Sequence, residues 1–475
     1  MFLPVTAGHD DRIVVLGAGP CGLACADALR QLGHRNWVVL EARDTVGGLA
    51  SSVVDEEGFT WDLGGHVVFS HFGEFDRLLA ELFSSDELLV HDRSSYVRFG
   101  NRWVPYPFQQ HLGALPSLDA LACLAGLAAV RLRGRADHQR AADDFESWLQ
   151  AAYGTPMVER FFGPYNTKVW SVAPREMSAG WVAERVAPAS LGGALATVLG
   201  LRRPHSTWGP NATFAFPTHG GTGEVWRRLA ARLGDRVHTR ARAVAIDAEE
   251  RRVVLAGREV VDYDHLVTTM PLDQLVACTA SAPDQVRRAA ARLRHNTVAM
   301  VGLGYRAPTM DRRSWLYFPH ADVPFYRATN FSKYAPANVP GGDTSAYCSW
   351  MTETSFPADQ SFEPEALTRS CDEALRRHGL VPEQAPLASA HVEVIPYAYP
   401  VPTLARDQAL AEITPWLEAH GIHSRGRFGT WRYEIGNMDH AVKMGIDIAH
   451  RLVTGAAEEL VPTPHRDAAM VGSRS

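Results

Sequence analysis

The residues with the clearest chemical meaning form a glycine-rich turn, GAGPCG, at positions 17–22. It follows a short apolar run and opens a stretch with helical spacing. Gly17 allows a tight turn, Gly19 lets the backbone approach a pyrophosphate, and Gly22 allows the helix to pack closely on the strand. The N terminus of that helix favours an anion. Glu41 ends the next apolar run, where its carboxylate can bind a ribose diol and would repel a 2′-phosphate. The spacing predicts a dinucleotide site for FAD or NAD rather than NADP.

Further glycine pairs favour FAD over NAD. They lie at 47–48, 64–65, 220–223 and 426–436, and they add Gly48, Gly65, Gly223 and Arg427 to the expected cofactor site. Repeated bare backbone suits a large ligand that passes several loops. A helix that begins near Asn437 would stabilise the negative charge of a reduced flavin by roughly 0.5 to 2 kcal/mol. The alternative is that these are ordinary loop glycines.

Three other segments concentrate aromatic and arginine residues: 98–109, 161–170 and 315–334. Tyrosine and tryptophan offer flat surfaces and polar groups, and arginine binds phosphate through two parallel hydrogen bonds. The clustering therefore favours a nucleotide-like substrate, although core packing explains any single aromatic residue equally well.

The elements that must position these residues begin with a βαβ unit. Its strands are expected at Arg12–Leu16 and Trp37–Leu40, and its helix at Gly22–Leu32. From 112 to 200 the sequence is rich in Ala and Leu with helical spacing, which includes Phe145–Tyr153 and Met177–Val186. Within it, 118–130 predicts a buried helix rather than a membrane-surface contact.

Alternating strands return at 220–285 with a helix over 224–233, aromatic- and Pro-rich strands occupy 295–400, and a terminal helix is expected at 438–452. The predicted fold is α/β, with a Rossmann-like FAD-binding domain, a helical insertion and a second antiparallel-sheet substrate domain. The predicted boundaries are 11–111, 201–290 and 406–455 for the FAD-binding domain, 112–200 for the insertion, 291–405 for the sheet domain and 456–475 for a tail.

Composition narrows the function classes. The chain has 475 residues, 46% hydrophobic and 21% charged, and a formal net charge of −6, so it should fold and has no electrostatic reason to bind nucleic acid. Six irregularly spaced cysteines predict a reducing, cytoplasmic location, with Cys21 and Cys25 packed in the first helix. We expect no membrane segment and no metal, because neither a long apolar run nor a short ligand spacing is present.

Seven longer motifs carry a family resemblance. They are GGHVVFSHF at 64–72, VPYPFQ at 104–109, GPYNTKVWSV at 163–172, WGPNATFAFPTHGGTG at 208–223, WLYFPHADVPFYRAT at 315–329, YPVPTL at 399–404 and SRGRFGTWRYEIGNMDH at 424–440. In this order they resemble the UDP-galactopyranose mutases, flavoenzymes, and their eukaryotic-type branch in particular. The similarity covers nearly the whole chain.

The resemblance implies an isomerase that interconverts UDP-galactopyranose and UDP-galactofuranose. In this family N5 of reduced FAD attacks the anomeric carbon, the sugar ring opens and recloses, and no net oxidation occurs. The implied partners are a UDP-sugar and an external reductant, for which NAD(P)H is a candidate. The oligomeric state is left open.

The resemblance also implies roles for single residues. Arg185 and Arg327 would bind the pyrophosphate, and His66 would approach flavin N5 from a glycine-flanked loop. The remaining expected contacts are Tyr317, Tyr334, Tyr399 and Tyr433 around the pyrophosphate, Tyr106, Phe108 and Gln109 at the uridine, Asn166, Trp170 and Asn211 at the sugar, and Met438 beside the flavin.

Several positions depart from the family pattern: Phe162, Gly163, Lys333, Val401 and Met438. Most of these departures concern the nucleotide pocket. The same mutase chemistry on another nucleotide-sugar therefore stays open. A flavin oxidase of the amine-oxidase type and a non-catalytic flavin-binding protein are the competing classes, and the arginine and tyrosine cluster argues against the former.

Overall fold

The computed structural model describes residues 7–8, 10–132, 143–182, 186–201 and 212–461. Arg185 and Asn211 lie outside these residues. The chain folds around two large sheets, and the first is a five-stranded parallel sheet. Its strands lie in the order Ile422–Ser424, His265–Thr268, Ile13–Leu16, Trp37–Leu40 and Val237–His238. They come from three separate stretches of the chain.

The βαβ unit forms as expected. Its helix spans Pro20–Gln31, with a proline in the first turn, where a missing N–H costs nothing. This helix packs against the C-terminal helix, Met438–Thr454. The contact is very close, because a Cβ on Gly445 would lie 2.2 Å from the carbonyl oxygen of Cys21. Cys21 and Cys25 are both buried in this contact, as predicted.

Apolar layers cover both faces of the parallel sheet. On one face lie Pro20–Gln31, Met438–Thr454, Gly73–Leu82 and Gly223–Leu233. On the other lie the helices Leu272–Cys278, Asp284–Ala290 and Arg406–Ala419 and a three-stranded antiparallel sheet of Ala243–Asp247, Arg252–Leu255 and Val260–Asp262. A parallel sheet of this kind is expected to be buried on both faces.

The second large sheet has seven strands. They lie in the order Leu387–Val401, Arg294–Tyr305, Cys348–Pro357, Arg327–Asn330, Trp315–Tyr317, Ser95–Phe99 and Arg102–Pro105. All neighbours are antiparallel except Trp315–Tyr317 and Ser95–Phe99, which run parallel. The helix Pro364–Arg377 covers one face, and the insertion covers the other.

The predicted boundary at residue 111 does not follow these sheets. The strands Ser95–Phe99 and Arg102–Pro105 fall in the first predicted FAD-binding segment, yet they extend the seven-stranded sheet. Alternation along a sequence indicates that a strand exists but not which partner it pairs with, so a partner more than two hundred residues away was missed. Two short ribbons complete the strands: Ser52–Val54 with Thr60–Asp62, and Leu88–Asp92 with Thr213–Pro217.

The insertion contains the helices Ser117–Leu132, Phe145–Tyr153, Gly163–Trp170 and Leu191–Val198. Phe145–Tyr153 matches its predicted bounds, and Asp144 caps it by accepting from the Ser147 N–H at 2.9 Å. The helix predicted over 177–186 is wrong for its described residues, 177–182. There the Ser178 N–H donates to the Pro402 carbonyl at 2.8 Å and Met177 bridges to Thr403, so pairing with another segment overrides the helical spacing.

The helix over 117–132 is present, but the prediction that it is buried is wrong. Leu118 is 83% exposed, Leu132 is 89% exposed, and only Ala120, Cys123 and Leu127 are buried. Within the described part of the chain, no helix is both long enough and apolar enough to cross a bilayer.

Candidate active site

A cavity of about 1630 Å³ lies between the two large sheets. At one end its wall is made by turns that follow the parallel strands and by the loop after the ribbon strand Thr60–Asp62, and we call this the glycine end (Gly17, Gly19, Glu41, Gly48 and Gly65). At the other end the wall is made by the seven-stranded sheet and the insertion, and we call this the tyrosine end (Tyr106, Tyr165, Tyr317, Tyr399 and Tyr433). The carboxyl edge of a parallel sheet is where such folds bind ligands.

The glycine end is built from backbone that comes too close for side chains. Gly17 has φ +104°, and a Cβ there would lie 2.1 Å from Thr269 Oγ1. A Cβ on Gly22 would lie 1.9 Å from the Gly17 carbonyl oxygen, so Gly22 serves packing and does not line the cavity. Gly48, at φ +53°, faces Gly19, and its Cβ would lie 3.2 Å from the Gly19 Cα. These two glycines leave bare backbone beside the N terminus of the helix Pro20–Gln31, which suits a pyrophosphate.

Glu41 lies beside this turn with its side chain fixed. One carboxylate oxygen accepts from the Ala18 N–H at 2.7 Å and the other from the Arg43 N–H at 2.8 Å. The residue is buried yet lines the cavity. Each oxygen retains a lone pair, so the carboxylate can also accept from ribose hydroxyls.

Gly223 does not join the other predicted cofactor residues. It is not among the residues that line the cavity, and its N–H donates to Ser52 Oγ at 2.8 Å. The neighbouring Thr222 bonds to the buried Asp62, whose pKa burial raises to about 7. The glycine cluster at 220–223 therefore permits a close contact between two parts of the chain, because a Cβ on Gly223 would lie 2.5 Å from the Ser52 nitrogen.

The C-terminal helix points its N terminus into the cavity. Asn437 is the N-cap residue and Met438 the first residue of this helix, and both line the cavity. Arg427 lies alongside, where its guanidinium donates to the carbonyl oxygens of Gly436 at 3.0 Å and Ala398 at 3.2 Å. It also stacks over the rings of Tyr399 and Tyr433, at 5.0 and 5.3 Å. Arg427 thus connects the glycine end to the tyrosine end.

A triad of His71, Asp439 and His440 ties the loop after Gly65 to this helix. Asp439 accepts from the His71 N–H at 3.0 Å and lies 2.6 Å from His71 Nδ1 and 3.0 Å from His440 Nδ1. Their ligand atoms lie within 4.8 Å of one another, which is a spacing that could hold a metal ion. Short ligand spacings in the sequence do not predict this triad, because His71 lies 368 positions from Asp439. The geometry is fully accounted for by hydrogen bonds that anchor the loop.

His66 occupies the middle of the cavity wall. Loss of hydration lowers its pKa to about 4; Glu353 opposes this shift, and Arg327 and Arg427 add to it. Its Nδ1 is buried without a hydrogen-bond partner among the described residues. The ring is therefore neutral at neutral pH.

The strongest polar cluster surrounds Arg327, and it contains two residues that sequence reasoning missed. Glu353 accepts from Arg327 Nε and Nη2, both at 2.7 Å, and from the Gly65 N–H at 2.9 Å. The Tyr326 hydroxyl donates to the same carboxylate at 2.6 Å. Burial alone would lower the pKa of Arg327 and raise that of Glu353, but their mutual attraction dominates and keeps both charged. The sequence signal for Glu353 was only a polar residue on an apolar strand, and Tyr326 was noticed only as part of an aromatic segment.

Tyrosines fill the space around Arg327. Trp315 Nε1 donates to the Tyr317 hydroxyl at 2.7 Å, and the Tyr317 ring lies 5.1 Å from that of Tyr106. Trp170 packs edge-on against Tyr399 and Tyr433, at 5.6 and 4.7 Å. Burial raises the pKa of Tyr106, Tyr317 and Tyr399, so these hydroxyls stay protonated and can donate.

Two predicted contacts, Phe108 and Tyr334, do not line the cavity. The Phe108 ring stacks on Phe161 at 4.4 Å inside the core. Tyr334 is fully buried, and its hydroxyl has no partner among the described residues. Gln109 and Asn166 do line the cavity, and each is oriented by a bond of 2.8 Å from its amide nitrogen, to the carbonyls of Ala187 and Phe162. Their amide oxygens can therefore accept from a ligand.

These features fit FAD. The bare backbone at Gly19 and Gly48, the fixed Glu41 carboxylate and two helix N termini line the same cavity. They offer N–H groups to a diphosphate, an acceptor to a ribose and a positive pole to an electron-rich ring.

Fold and site together define a flavin-dependent enzyme. Residues 20–452 match the family of flavin containing amine oxidoreductases, and the chain belongs to that family. Among curated proteins, it is 31% identical to 15-cis-phytoene desaturase from Synechococcus elongatus over 120 residues, which are 23% of this chain and 25% of that protein. It is 27% identical to flavin-containing amine oxidase A from Sus scrofa over 289 residues, 56% of this chain and 50% of that one. The chain thus spans between a quarter and a half of these relatives.

A solved structure shows a more specific similarity than the family match does. A crystal structure of reduced UDP-galactopyranose mutase has a TM-score of 0.89 and 36% identity, with 94% of both chains covered. This match confirms the resemblance seen in the sequence motifs. The cyclohexylamine oxidase of Brevibacterium oxydans has a TM-score of 0.65 at 19% identity, with 94% of this chain and 99% of that chain covered, and so shares the fold alone.

Proposed function

We propose that this chain is a UDP-galactopyranose mutase that interconverts the pyranose and furanose forms of UDP-galactose without net oxidation. The observation that carries the proposal is the 36% identity to a reduced UDP-galactopyranose mutase over 94% of both chains. The cavity supports it, because a charged guanidinium and protonated tyrosines stand opposite a wall suited to a dinucleotide.

FAD, bound in its reduced form, would supply the nucleophile for the anomeric carbon and must first be reduced by an external donor, for which NAD(P)H is a candidate. The protein's own contribution at this end is to hold the cofactor through backbone N–H groups and Glu41. Asn437 and Met438 start a helix whose positive pole favours the electron-rich state of the ring.

At the tyrosine end, Arg327 would bind the pyrophosphate. Arg327 donates its Nε–H and one N–H of Nη2 to Glu353. The N–H groups of Nη1 and the second N–H of Nη2 are therefore the donors oriented for a ligand. Tyr317, Tyr399 and Tyr433 would add hydroxyl donors. Arg185 is a further proposed contact by family resemblance, whereas Tyr334, which does not line the cavity, would support this end only by packing behind it. Together these groups would keep UDP beside the sugar after the glycosidic bond breaks, so that it can be recaptured.

The nucleoside would lie between Tyr106 and the insertion. The amide oxygen of Gln109 can accept from the N3–H of a uracil, because its nitrogen is held by Ala187. Asn166 and Trp170, with Asn211 from the resemblance, would contact the sugar, and Phe108 would support this pocket from behind through Phe161. Neutral His66 would line the cavity without adding a charge near the reacting atoms.

An amine oxidase is the alternative at the level of the family. A protonated amine would meet Arg327 and Arg427 in this cavity and be repelled by both. A nucleotide-sugar other than UDP-galactose is the narrower alternative, since one departure from the family pattern, Phe162, lines the cavity with Tyr106 and Gln109.

The deciding experiment incubates dithionite-reduced protein with UDP-galactopyranose, UDP-glucose and a GDP-hexose, and separates the products by chromatography. Conversion of UDP-galactopyranose alone, and only by the reduced protein, is the expected result. Conversion of UDP-glucose or the GDP-hexose instead would assign a different nucleotide-sugar as the substrate. Bleaching of the oxidised flavin by an amine in air, with no ring isomerisation, would replace the mutase with an oxidase.

A further inference from the structure

Glu353 joins two parts of the cavity wall that are far apart in sequence. Its Oε1 accepts from Arg327 Nε and from the Gly65 N–H, and its Oε2 accepts from Arg327 Nη2 and the Tyr326 hydroxyl. Gly65 lies 288 positions away and precedes His66 in the loop. One carboxylate therefore binds both the proposed pyrophosphate arginine and the proposed flavin-side loop.

The packing around this carboxylate leaves no room for an added side-chain atom. A Cβ on Gly65 would lie 2.6 Å from Thr329 Oγ1, 3.2 Å from Glu353 Oε1 and 3.3 Å from Arg327 Cζ. The loop backbone thus presses directly on the ion pair, and a shift of either displaces the other.

Stability alone is a poor reason for this arrangement. Glu353 is 2% exposed, and a buried ion pair seldom stabilises a fold more than an apolar pair of the same size. Fixing a guanidinium toward a cavity is a different task, for which four well-directed hydrogen bonds to one carboxylate are suited.

We propose that Glu353 is a positioning residue that orients Arg327 toward the substrate diphosphate and links the Gly64–His66 loop to diphosphate occupancy. This inference rests on the proposed function. When a diphosphate engages the free N–H groups of Arg327, the guanidinium is fixed, Glu353 is fixed with it, and the Gly65 N–H is held more tightly.

The test compares UDP with uridine on the holoenzyme by calorimetry, with Glu353→Gln as the main variant. An amide cannot accept from both Arg327 nitrogens, so UDP affinity should fall about 10- to 100-fold while uridine affinity stays within about twofold. Equal loss for both ligands would mean that Glu353 is merely structural, and unchanged UDP affinity would overturn the proposal.

Two further variants sharpen the comparison. Gly65→Ala should weaken UDP but not uridine, because the added methyl group displaces the same pair. Glu393→Gln is the matched control: the strands of Glu353 and Glu393 lie on opposite sides of Arg294–Tyr305, both glutamates pair in register with Met300, and Glu393 faces Arg43 instead. It should leave both affinities unchanged.

The link to the loop is read by hydrogen exchange of the peptide that contains 63–69. UDP should slow exchange there in the wild type, uridine should not, and Glu353→Gln should abolish the effect of UDP. Exchange that UDP leaves unchanged in the wild type would refute the link. If the wild type converts UDP-galactopyranose while these differences are missing, this proposal alone fails. If the wild type neither converts nor binds UDP, the proposed function fails, and faster loop exchange in unliganded Glu353→Gln still tests the Gly65 bond.

Discussion

The two ends of the cavity are built by different means. At the glycine end the wall is main chain: Gly17, Gly19 and Gly48 bring backbone atoms within contact of one another, and the carboxylate of Glu41 is held by two N–H groups. At the tyrosine end the wall is side chain, and its organising element is the ion pair of Arg327 and Glu353. An added atom should therefore damage the first end most, and a lost charge the second.

The difference also separates what each end can recognise. Backbone N–H groups at a helix N terminus bind any diphosphate of the right shape, which suits a cofactor that stays in place. A guanidinium fixed by a carboxylate donates in set directions, which suits a substrate that must be held, released and recaptured.

The largest effect is expected for Gly22→Ala at the glycine end. The new Cβ would lie 1.9 Å from the Gly17 carbonyl oxygen and 3.2 Å from Val15 Cγ1, and the turn at Gly17 is already at φ +104°. We expect the variant to lose nearly all bound flavin, measured as the ratio of flavin to protein absorbance. Gly257→Ala is the control, because no heavy atom lies within 4 Å of its Cβ. Wild-type flavin content in Gly22→Ala would show that this end is not limited by space.

The next effect belongs to the other end, where Arg327→Ala should reduce kcat/KM by about one to two orders of magnitude. Flavin content should stay near that of the wild type, because Arg327 bonds to Glu353 and the Gly65 N–H, at the edge of the glycine end, keeps that carboxylate as its acceptor. Steady-state kinetics with the reduced enzyme and the same absorbance ratio are the measurements. Arg294→Ala, which breaks a half-exposed pair with Glu176, should have no effect. Loss of flavin from Arg327→Ala, with kcat/KM per bound flavin unchanged, would reverse the assignment of the two ends.

The two ends also differ in how far the sequence predicts them. The glycine turn, its helix and Glu41 lie within a few dozen residues, and local spacing determines their geometry, so the sequence predicts that they lie together; their role in binding FAD stays a prediction. The cluster at Arg327 depends on strand register: Glu353 is opposite Arg327 because two antiparallel strands pair there, and Gly65 arrives from another part of the chain. Local spacing does not indicate that these three residues lie together, so Arg327 was identified only by family resemblance and Glu353 was missed.

The errors have the same physical origin. The segment at 177–182 has helical spacing, but the Ser178 N–H donates to Pro402 and Met177 pairs with Thr403 in an antiparallel bridge. Gly223 belongs to a glycine-rich turn like that at Gly17, yet it packs against Ser52. Leu118 was expected inside and lies at the surface. In each case the local pattern was correct and its tertiary partner was different.

A smaller effect is expected for Tyr399→Phe, which removes one hydroxyl and keeps the ring. That hydroxyl lies 3.1 Å from the Tyr326 hydroxyl, which in turn bonds to Glu353. A neutral hydrogen bond contributes about 0.5 to 1.5 kcal/mol, so we expect kcat/KM to fall roughly two- to tenfold. Tyr305→Phe, whose hydroxyl bonds to Asp372 on the far side of the same sheet, is the control. A loss as large as that of Arg327→Ala would mean that the hydroxyl, and not the charge, organises this end.

The smallest expected effect concerns pH, at His66, where the two ends meet. Its pKa is lowered from 6.5 to about 4, so the ring stays neutral from pH 8 down to about pH 5. The unfolded chain takes up a proton there as the pH falls through 6.5, and the folded chain does so only near 4. The contribution of the neutral ring to stability is therefore complete above pH 6.5 and is lost as the pH falls toward 4. Profiles of kcat against pH for the wild type and His66→Ala should differ by a constant factor above about pH 5 and change relative to each other only near pH 4. A wild-type inflection of kcat near pH 6.5 that disappears in His66→Ala would show that the histidine is hydrated and titrates at its ordinary pKa. It would then not be buried in the cavity wall.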